Sequence, residues 1–242
     1  MERLSGRVQG LLRRRATRDF VMGEIGGAVG TSATAASFAL AGMGGAAVST
    51  AFADSNEEAD YVEFALDGRR VKGWFWRFPF SEGDEIEVAA EKLSGTQGNP
   101  DQWVAYGARR PGDGIVAVYP HCHEGTVAHR RASLRFYAWF ALACYLVGAC
   151  FSVGFTLFSD HPDRWSTSLR ELFVYLPAVM IVVYGFLGYR ATRKLAVFPR
   201  LAEEIFGAFG WPEPSRISLR KTSQAKRGEK EAGDYGYFFF RY

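Results

Sequence analysis

Histidine and cysteine side chains cluster in one short segment near the middle of the chain. His121, Cys122, His123 and His129 place three of the four histidines and one cysteine within nine residues. Imidazole and thiolate groups at this density can bind zinc or another transition metal. The spacing fits no zinc motif, because adjacent residues point in alternating directions and no fourth ligand follows. We therefore predict that this segment binds no metal, although these four residues are the candidate ligands if the chain binds one. We interpret the segment as a turn facing solvent or lipid headgroups.

No other segment carries a pattern typical of catalysis. The sequence has no nucleophile elbow, zinc-protease motif, Walker-type loop or dinucleotide fingerprint. We therefore predict no catalytic residue, no cofactor and no enzyme activity. The formal net charge is only +3, and no dense basic run is interleaved with aromatic residues. We accordingly expect no nucleic-acid partner.

Two long uncharged stretches in the second half of the chain predict a transmembrane helical hairpin. Residues 136–158 give 23 positions without a charge, and residues 172–189 give 18. As helices they would be about 35 Å and about 27 Å long, compared with a hydrocarbon core of about 30 Å. The alternative is a buried hairpin in a soluble protein, whose core helices rarely run beyond about 14 residues without a charge.

Basic residues flank both predicted spans. Those nearest the ends are Arg130, Arg131, Arg135, Arg190, Arg193 and Lys194. Neither flank has an acidic residue, whereas the loop between the spans contains both acidic and basic residues. By the positive-inside rule, we expect both long flanks in the cytoplasm and the short loop outside.

A third uncharged stretch, residues 25–53, is rich in alanine and glycine. The glycines that would allow close helix packing in lipid are Gly26, Gly30, Gly42 and Gly45. A single span here would move the first basic flank to the wrong side of the membrane. A shallow hairpin, an interfacial helix and a helix pair packed on the other spans all avoid that conflict and stay open.

Short alternating runs before the first span predict a small β-rich domain over residues 54–128. The runs cover residues 62–66, 71–78, 86–90, 103–109 and 115–119, with turns between them. Five strands joined by short turns are typical of an OB-like or SH3-like barrel.

The remaining segments complete the predicted organisation. Residues 1–24 form a basic N-terminal segment, and residues 129–195 contain the hairpin. Residues 196–242 read as an amphipathic helix, a polar linker and a C-terminal strand that can pair with the barrel. The predicted fold class is an α+β membrane protein with a hairpin, a small barrel and an Ala/Gly-rich helical segment.

Several turn and strand patterns resemble a family of small bacterial membrane proteins classed as type VI secretion system effectors. The segments concerned are residues 67–74, 83–88, 109–111, 117–122, 198–211 and 237–242. The resemblance covers most of the chain from about residue 54. It includes no catalytic signature, so no catalytic residue is carried over.

The resemblance implies a multi-pass protein of the bacterial inner membrane that acts in competition between bacteria. One interpretation is an effector whose Ala/Gly segment and hairpin permeabilise the membrane of a rival cell. The alternative is a resident immunity or accessory protein that binds and blocks a membrane-targeting toxin. The flanking charges favour the second, and the family favours the first. A structural membrane module is a third alternative. The expected partners are the lipid bilayer and either a cognate protein or further copies of this chain.

Overall fold

The computed structural model describes residues 1–19, 56–93, 102–157, 170–194, 196–228 and 233–242. They form two units. The first comprises Met1–Ala128 with Ala196–Tyr242, and the second comprises His129–Leu195. The chain therefore leaves the first unit once and returns to it, so the second unit is an insertion. The prediction for residues 25–53, with Gly26, Gly30, Gly42 and Gly45, lies outside the described residues.

Strands β1 to β5 of the first unit close into a barrel. The strands of the described chain are β1 Glu2–Asp19, β2 Asn56–Leu66, β3 Arg69–Phe75, β4 Glu85–Leu93, β5 Gln102–Arg110, β6 Ile115–Val118 and β7 Phe240–Arg241. The ring runs β1-β2-β3-β5-β4 and back to β1. Only the β3–β5 pair is parallel. This order, in which a long first strand pairs with both β2 and β4, is that of an OB-type barrel.

The first strand corrects the predicted boundary of the β-rich domain, which begins at residue 2 and not at residue 54. Arginines on both faces of β1 conceal its strand pattern in the sequence. Leu4 and Val8 are buried in the barrel. Farther along, the Arg13 guanidinium donates to the Phe80 carbonyl at 2.7 Å, so a charged side chain occupies a core-facing position.

The last predicted strand lies outside the closed ring. Strand β6 pairs with β5 on one side and with the C-terminal β7 on the other. The predicted pairing of the C-terminal strand with the barrel sheet is therefore observed, through β6. The amide of Tyr242 also donates to the carbonyl of Gly114 at 3.0 Å.

Two apolar clusters hold the first unit together. One fills the barrel and includes Val62, Phe75 and Ile86. The other lies between the barrel and the amphipathic helix that the sequence predicts, which is here the helix Val197–Ala208. That helix packs closely on β5, because a Cβ atom added to Gly107 would lie 2.5 Å from Ile205 Cγ2. A side chain at Gly107 would therefore force the helix away from the sheet.

The second unit is an antiparallel helical hairpin. Its helices are α1 Thr126–Leu157 and α2 Leu176–Lys194, with a π-helical turn Glu171–Tyr175 before α2. The first unit contains the later helices α3 Val197–Ala208 and α4 Leu219–Ala225. Phe140 packs against Tyr184 with ring centroids 5.5 Å apart, and Tyr184 Oη donates to Cys144 Sγ at 3.1 Å. Gly148 faces Leu176, and Gly188 faces Tyr137. The predicted spans thus lie mostly within two helices that run in opposite directions.

Candidate functional site

The histidine segment packs around Trp76 in the first unit. The His121 ring lies edge-on to Trp76 at 5.1 Å and 5.2 Å from the ring of Phe198. Its Nε2 atom is 3.1 Å from Glu57 Oε2, which also accepts a hydrogen bond from Trp76 Nε1. The interaction with His121 is the main cause that lowers the pKa of Glu57 from its ordinary value. His121 therefore connects β2, α3 and the residue that follows β3.

The other three metal candidates do not join His121 in a shared site. Cys122 is completely buried in the apolar cluster under α3. His123 stacks on Phe240 with ring centroids 5.9 Å apart. His129 belongs to the second unit, and its Nε2 atom lies 3.5 Å from Ser133 Oγ one turn along α1. Within the described ranges, no group of three or more His, Cys, Asp or Glu residues could hold a metal ion.

The first residues of α1 belong to the first unit and are held within it by contacts that no sequence pattern predicts. The Thr126 amide donates to Glu203 Oε1 at 2.8 Å, and its hydroxyl donates to the same oxygen. A carboxylate at this position satisfies a free amide and complements the positive end of the helix dipole. Next to it, the Gly125 amide donates to the Ile217 carbonyl at 2.9 Å. No local motif predicts a cap that comes from 77 residues away.

The hairpin carries most of the large apolar residues that are exposed in the described chain. Of the 23 large hydrophobic residues that are exposed, 20 lie in the second unit. They are Leu134, Phe136, Trp139, Phe140, Leu142, Leu146, Val147, Phe151, Val153, Phe155, Leu157, Phe173, Val174, Tyr175, Val179, Ile181, Val182, Val183, Phe186 and Tyr189. Soluble monomers rarely expose a continuous apolar surface of this extent, so it marks a surface for lipid or protein contact.

One described helix is long and apolar enough to cross a membrane. This helix is α1, and only 6% of its most apolar stretch is buried. A core helix of a soluble protein would be mostly buried, so the exposure argues against that alternative. A second apolar helix, Leu172–Phe186, is shorter.

The two basic flanks lie at the same end of the hairpin. Arg130, Arg131 and Arg135 are exposed on the first turns of α1. The positions of Arg190, Arg193 and Lys194 are in the last turns of α2. Because Tyr137 of α1 faces Gly188 of α2, the beginning of one helix is beside the end of the other.

The architecture defined here is an OB-type barrel with a helical hairpin inserted before its last helices and strand. Comparison of the chain with protein-family models, with curated proteins and with solved structures found no match.

Proposed function

We propose that this chain is an integral protein of the bacterial inner membrane whose hairpin anchors the barrel on the cytoplasmic side. The observation that carries the proposal is the exposure of 20 large apolar side chains on the hairpin. Leaving them in water forgoes about 1 kcal/mol or more for each. The total exceeds the whole stability of a typical domain, about 5–15 kcal/mol. Lipid around the hairpin removes this penalty.

The connectivity supports a hairpin in the membrane over a single crossing. Ala128 and Ala196 both belong to the first unit. A chain that enters the bilayer along α1 must therefore cross back before residue 196, and the second helix supplies the return. From residue 171 to residue 194 the helical segment has 24 residues. That length covers about 36 Å, with its basic last turns at the headgroups.

For a protein anchored in this way, we propose the role of a membrane-permeabilising effector of a type VI secretion system. The resemblance of the strand and turn segments supports this role, and the exposed hairpin supplies the surface that would disturb a bilayer. The second candidate is a resident immunity or accessory protein that binds and blocks a membrane toxin. The two basic flanks at one end of the hairpin favour it, because this is the charge pattern of a protein inserted by its own cell.

A matched pair of leucine substitutions tests the membrane anchor. Leu146 on α1 and Leu12 on the barrel are similarly exposed, at 54% and 61%. A lysine in the middle of a membrane helix costs about 2.5–3.5 kcal/mol. We expect Leu146→Lys to reduce the fraction of protein that resists alkaline extraction from membranes, whereas Leu12→Lys leaves it unchanged. Equal behaviour of the two variants would contradict the anchor.

Expression in a susceptible bacterium distinguishes the two roles. The protein is directed either to the cytoplasm or to the periplasm, and membrane potential and growth are measured. An effector depolarises the membrane from at least one side. Harmless expression from both sides, with rescue of cells that carry a toxin encoded beside this gene, would instead support the immunity role.

A further inference from the structure

The outer face of the barrel presents three rows of side chains from β1, β2, β3 and β5. Residues at alternate positions, among them Val62, Phe64 and Val71, point into the barrel. Strand pairing aligns the outward residues into rows. The first row is Gln9, Ala65, Arg70 and Gln102, the second is Leu12, Glu63, Lys72 and Val104, and the third is Arg14, Tyr61 and Trp74. These residues are far apart in the sequence, and only closure of the barrel brings them together.

A groove of about 320 Å³ crosses the first two rows. Its polar lining comes from Gln9, Glu63, Arg70, Lys72 and Gln102. Two amides and a carboxylate provide both hydrogen-bond donors and acceptors, which is what the edge of a nucleobase requires. The volume lies at the lower end of the range for small-ligand sites and suits a ligand the size of one nucleotide.

A β-bulge shapes one rim of the groove. The pairing of β1 with β2 shifts between Gln9 and Leu12, and Gly10 adopts a φ of +63°. The Glu82 carboxylate accepts hydrogen bonds from the amides of Gly10 and Leu11, both at 2.8 Å. The bulge is therefore held in place by a dedicated side chain, as expected where a strand re-aims residues towards a site.

The third row provides an aromatic surface next to the groove. The rings of Tyr61 and Trp74 lie 4.9 Å apart at 50°, and both are partly exposed. The Tyr61 hydroxyl donates to Glu63 Oε1 at 2.8 Å, which connects this row to the groove. Neighbouring rows are separated by two residues, or about 6.7 Å along a strand. That spacing suits one nucleotide in the groove and the next one on the rings.

The charge of this face complements a polyanion. Arg14, Arg70 and Lys72 carry three positive charges, and the Glu63 carboxylate lines the groove. The Glu82 carboxylate at the rim accepts two backbone amides, and Glu91 of β4 continues the second row beyond Val104. None of the three cations has an ion pair among the residues that the structure describes. An anionic lipid surface would also attract these cations, but a concave groove with a carboxylate in its lining does not fit a flat, negatively charged layer.

We propose that this face, the groove with the Tyr61 and Trp74 rings, binds a short stretch of single-stranded nucleic acid. Bases stack on the rings, base edges meet the amides and Glu63, and phosphates contact the cations. The proposal replaces the expectation of no nucleic-acid partner, which depended on runs in the linear sequence. It goes beyond the proposed membrane role and depends only on the barrel.

The test measures binding of fluorescein-labelled octathymidylate to the full chain in zwitterionic detergent by fluorescence anisotropy. We expect binding at least tenfold tighter than to a duplex of equal length or to thymidine monophosphate. For single strands, a plot of log K against log salt concentration has a slope of about −0.7 for each phosphate contact. Three cations therefore predict a slope near about −2. Trp74→Leu should weaken binding about 5- to 100-fold without changing the slope. Lys72→Gln should weaken binding and reduce the slope by about 0.7.

Two exposed cations on α4 provide the control. Arg220→Gln and Lys221→Gln remove equal charge from the first unit outside this face, and we expect them to leave the affinity unchanged. Thermal unfolding of each variant separates loss of binding from loss of folding. Absence of binding at concentrations up to about 100 μM, the weak limit of non-specific binding, would overturn the proposal. Equal binding of the duplex or the monophosphate, preferential binding of phosphatidylglycerol vesicles, or equal losses in the control variants would overturn it as well. None of these outcomes bears on the hairpin, so the membrane role is tested separately.

Discussion

At the scale of single residues, the acidic side chains that matter most are those that hold segments distant in the sequence. Glu57 lies 3.1 Å from His121 Nε2 and accepts a hydrogen bond from Trp76, and Glu203 accepts from the start of α1. The sequence identified His121 as a chemical candidate, but its partners come from segments more than 40 residues away. Spacing rules compare neighbours along the chain, so they could predict neither the aromatic surroundings of this histidine nor the cap.

The cap at α1 predicts a local change of stability. Glu203→Ala removes the acceptor of the Thr126 amide, and loss of a cap costs about 1 kcal/mol. We expect hydrogen exchange of the first amides of α1 to become about fivefold faster. Glu204→Ala is the matched control, because it removes the neighbouring, exposed carboxylate. Equal exchange in both variants would contradict the role of Glu203.

The Glu57 pair predicts a dependence of stability on pH. The interaction with His121 is the largest cause that lowers the pKa of Glu57 below its ordinary value of 4.5. A carboxyl with a lowered folded pKa contributes stability that is complete above the unfolded pKa. That contribution disappears as the pH falls through the folded pKa.

The measurement compares the free energy of unfolding of the wild type and of Glu57→Gln from about pH 6 to about pH 3. We expect the advantage of the wild type to shrink on acidification. An advantage that stays constant over this range would show that ionisation of Glu57 does not stabilise the fold.

At the scale of elements, the clearest sequence signals gave the clearest predictions. The uncharged stretches predicted the two helices, although α1 begins ten residues before its predicted span. The alternating runs predicted β3 to β6 to within about three residues and only the second half of β2, which begins at residue 56 and not at residue 62. Strand β1 was not predicted, because arginines occupy both of its faces. Some of these arginines find hydrogen-bond partners only in the folded chain, as Arg13 does in the Phe80 carbonyl. Closure of the ring depends on β1, so without this strand the choice between OB-like and SH3-like order stayed open.

Packing of α3 on the barrel predicts the cost of a small substitution. Gly107→Ala would place a Cβ atom 2.5 Å from Ile205 Cγ2. Overpacking of this kind typically costs about 1–3 kcal/mol. We expect a lower midpoint of chemical unfolding, whereas Gly112→Ala, with open space around the added atom, serves as the control. An unchanged midpoint for Gly107→Ala would mean that α3 shifts without cost.

At the scale of the whole molecule, connectivity joins the barrel to the membrane proposal. The inserted unit begins and ends in the first unit, and both basic flanks lie at one end of its hairpin. Any crossing of the bilayer by the insertion is therefore paired with a return. This arrangement predicts that the first unit lies on one side of the membrane and the tip of the hairpin on the other.

Labelling of single cysteines from each side of the membrane tests this central claim most directly. The three native cysteines are replaced by alanine, and Lys221→Cys on α4 and Ser166→Cys between the two helices are made separately in the full chain. We expect an impermeant maleimide to label Ser166→Cys in intact spheroplasts and Lys221→Cys only in inverted vesicles. Labelling of both positions from the same side, or recovery of the chain as a monodisperse particle in buffer without detergent, would contradict the account.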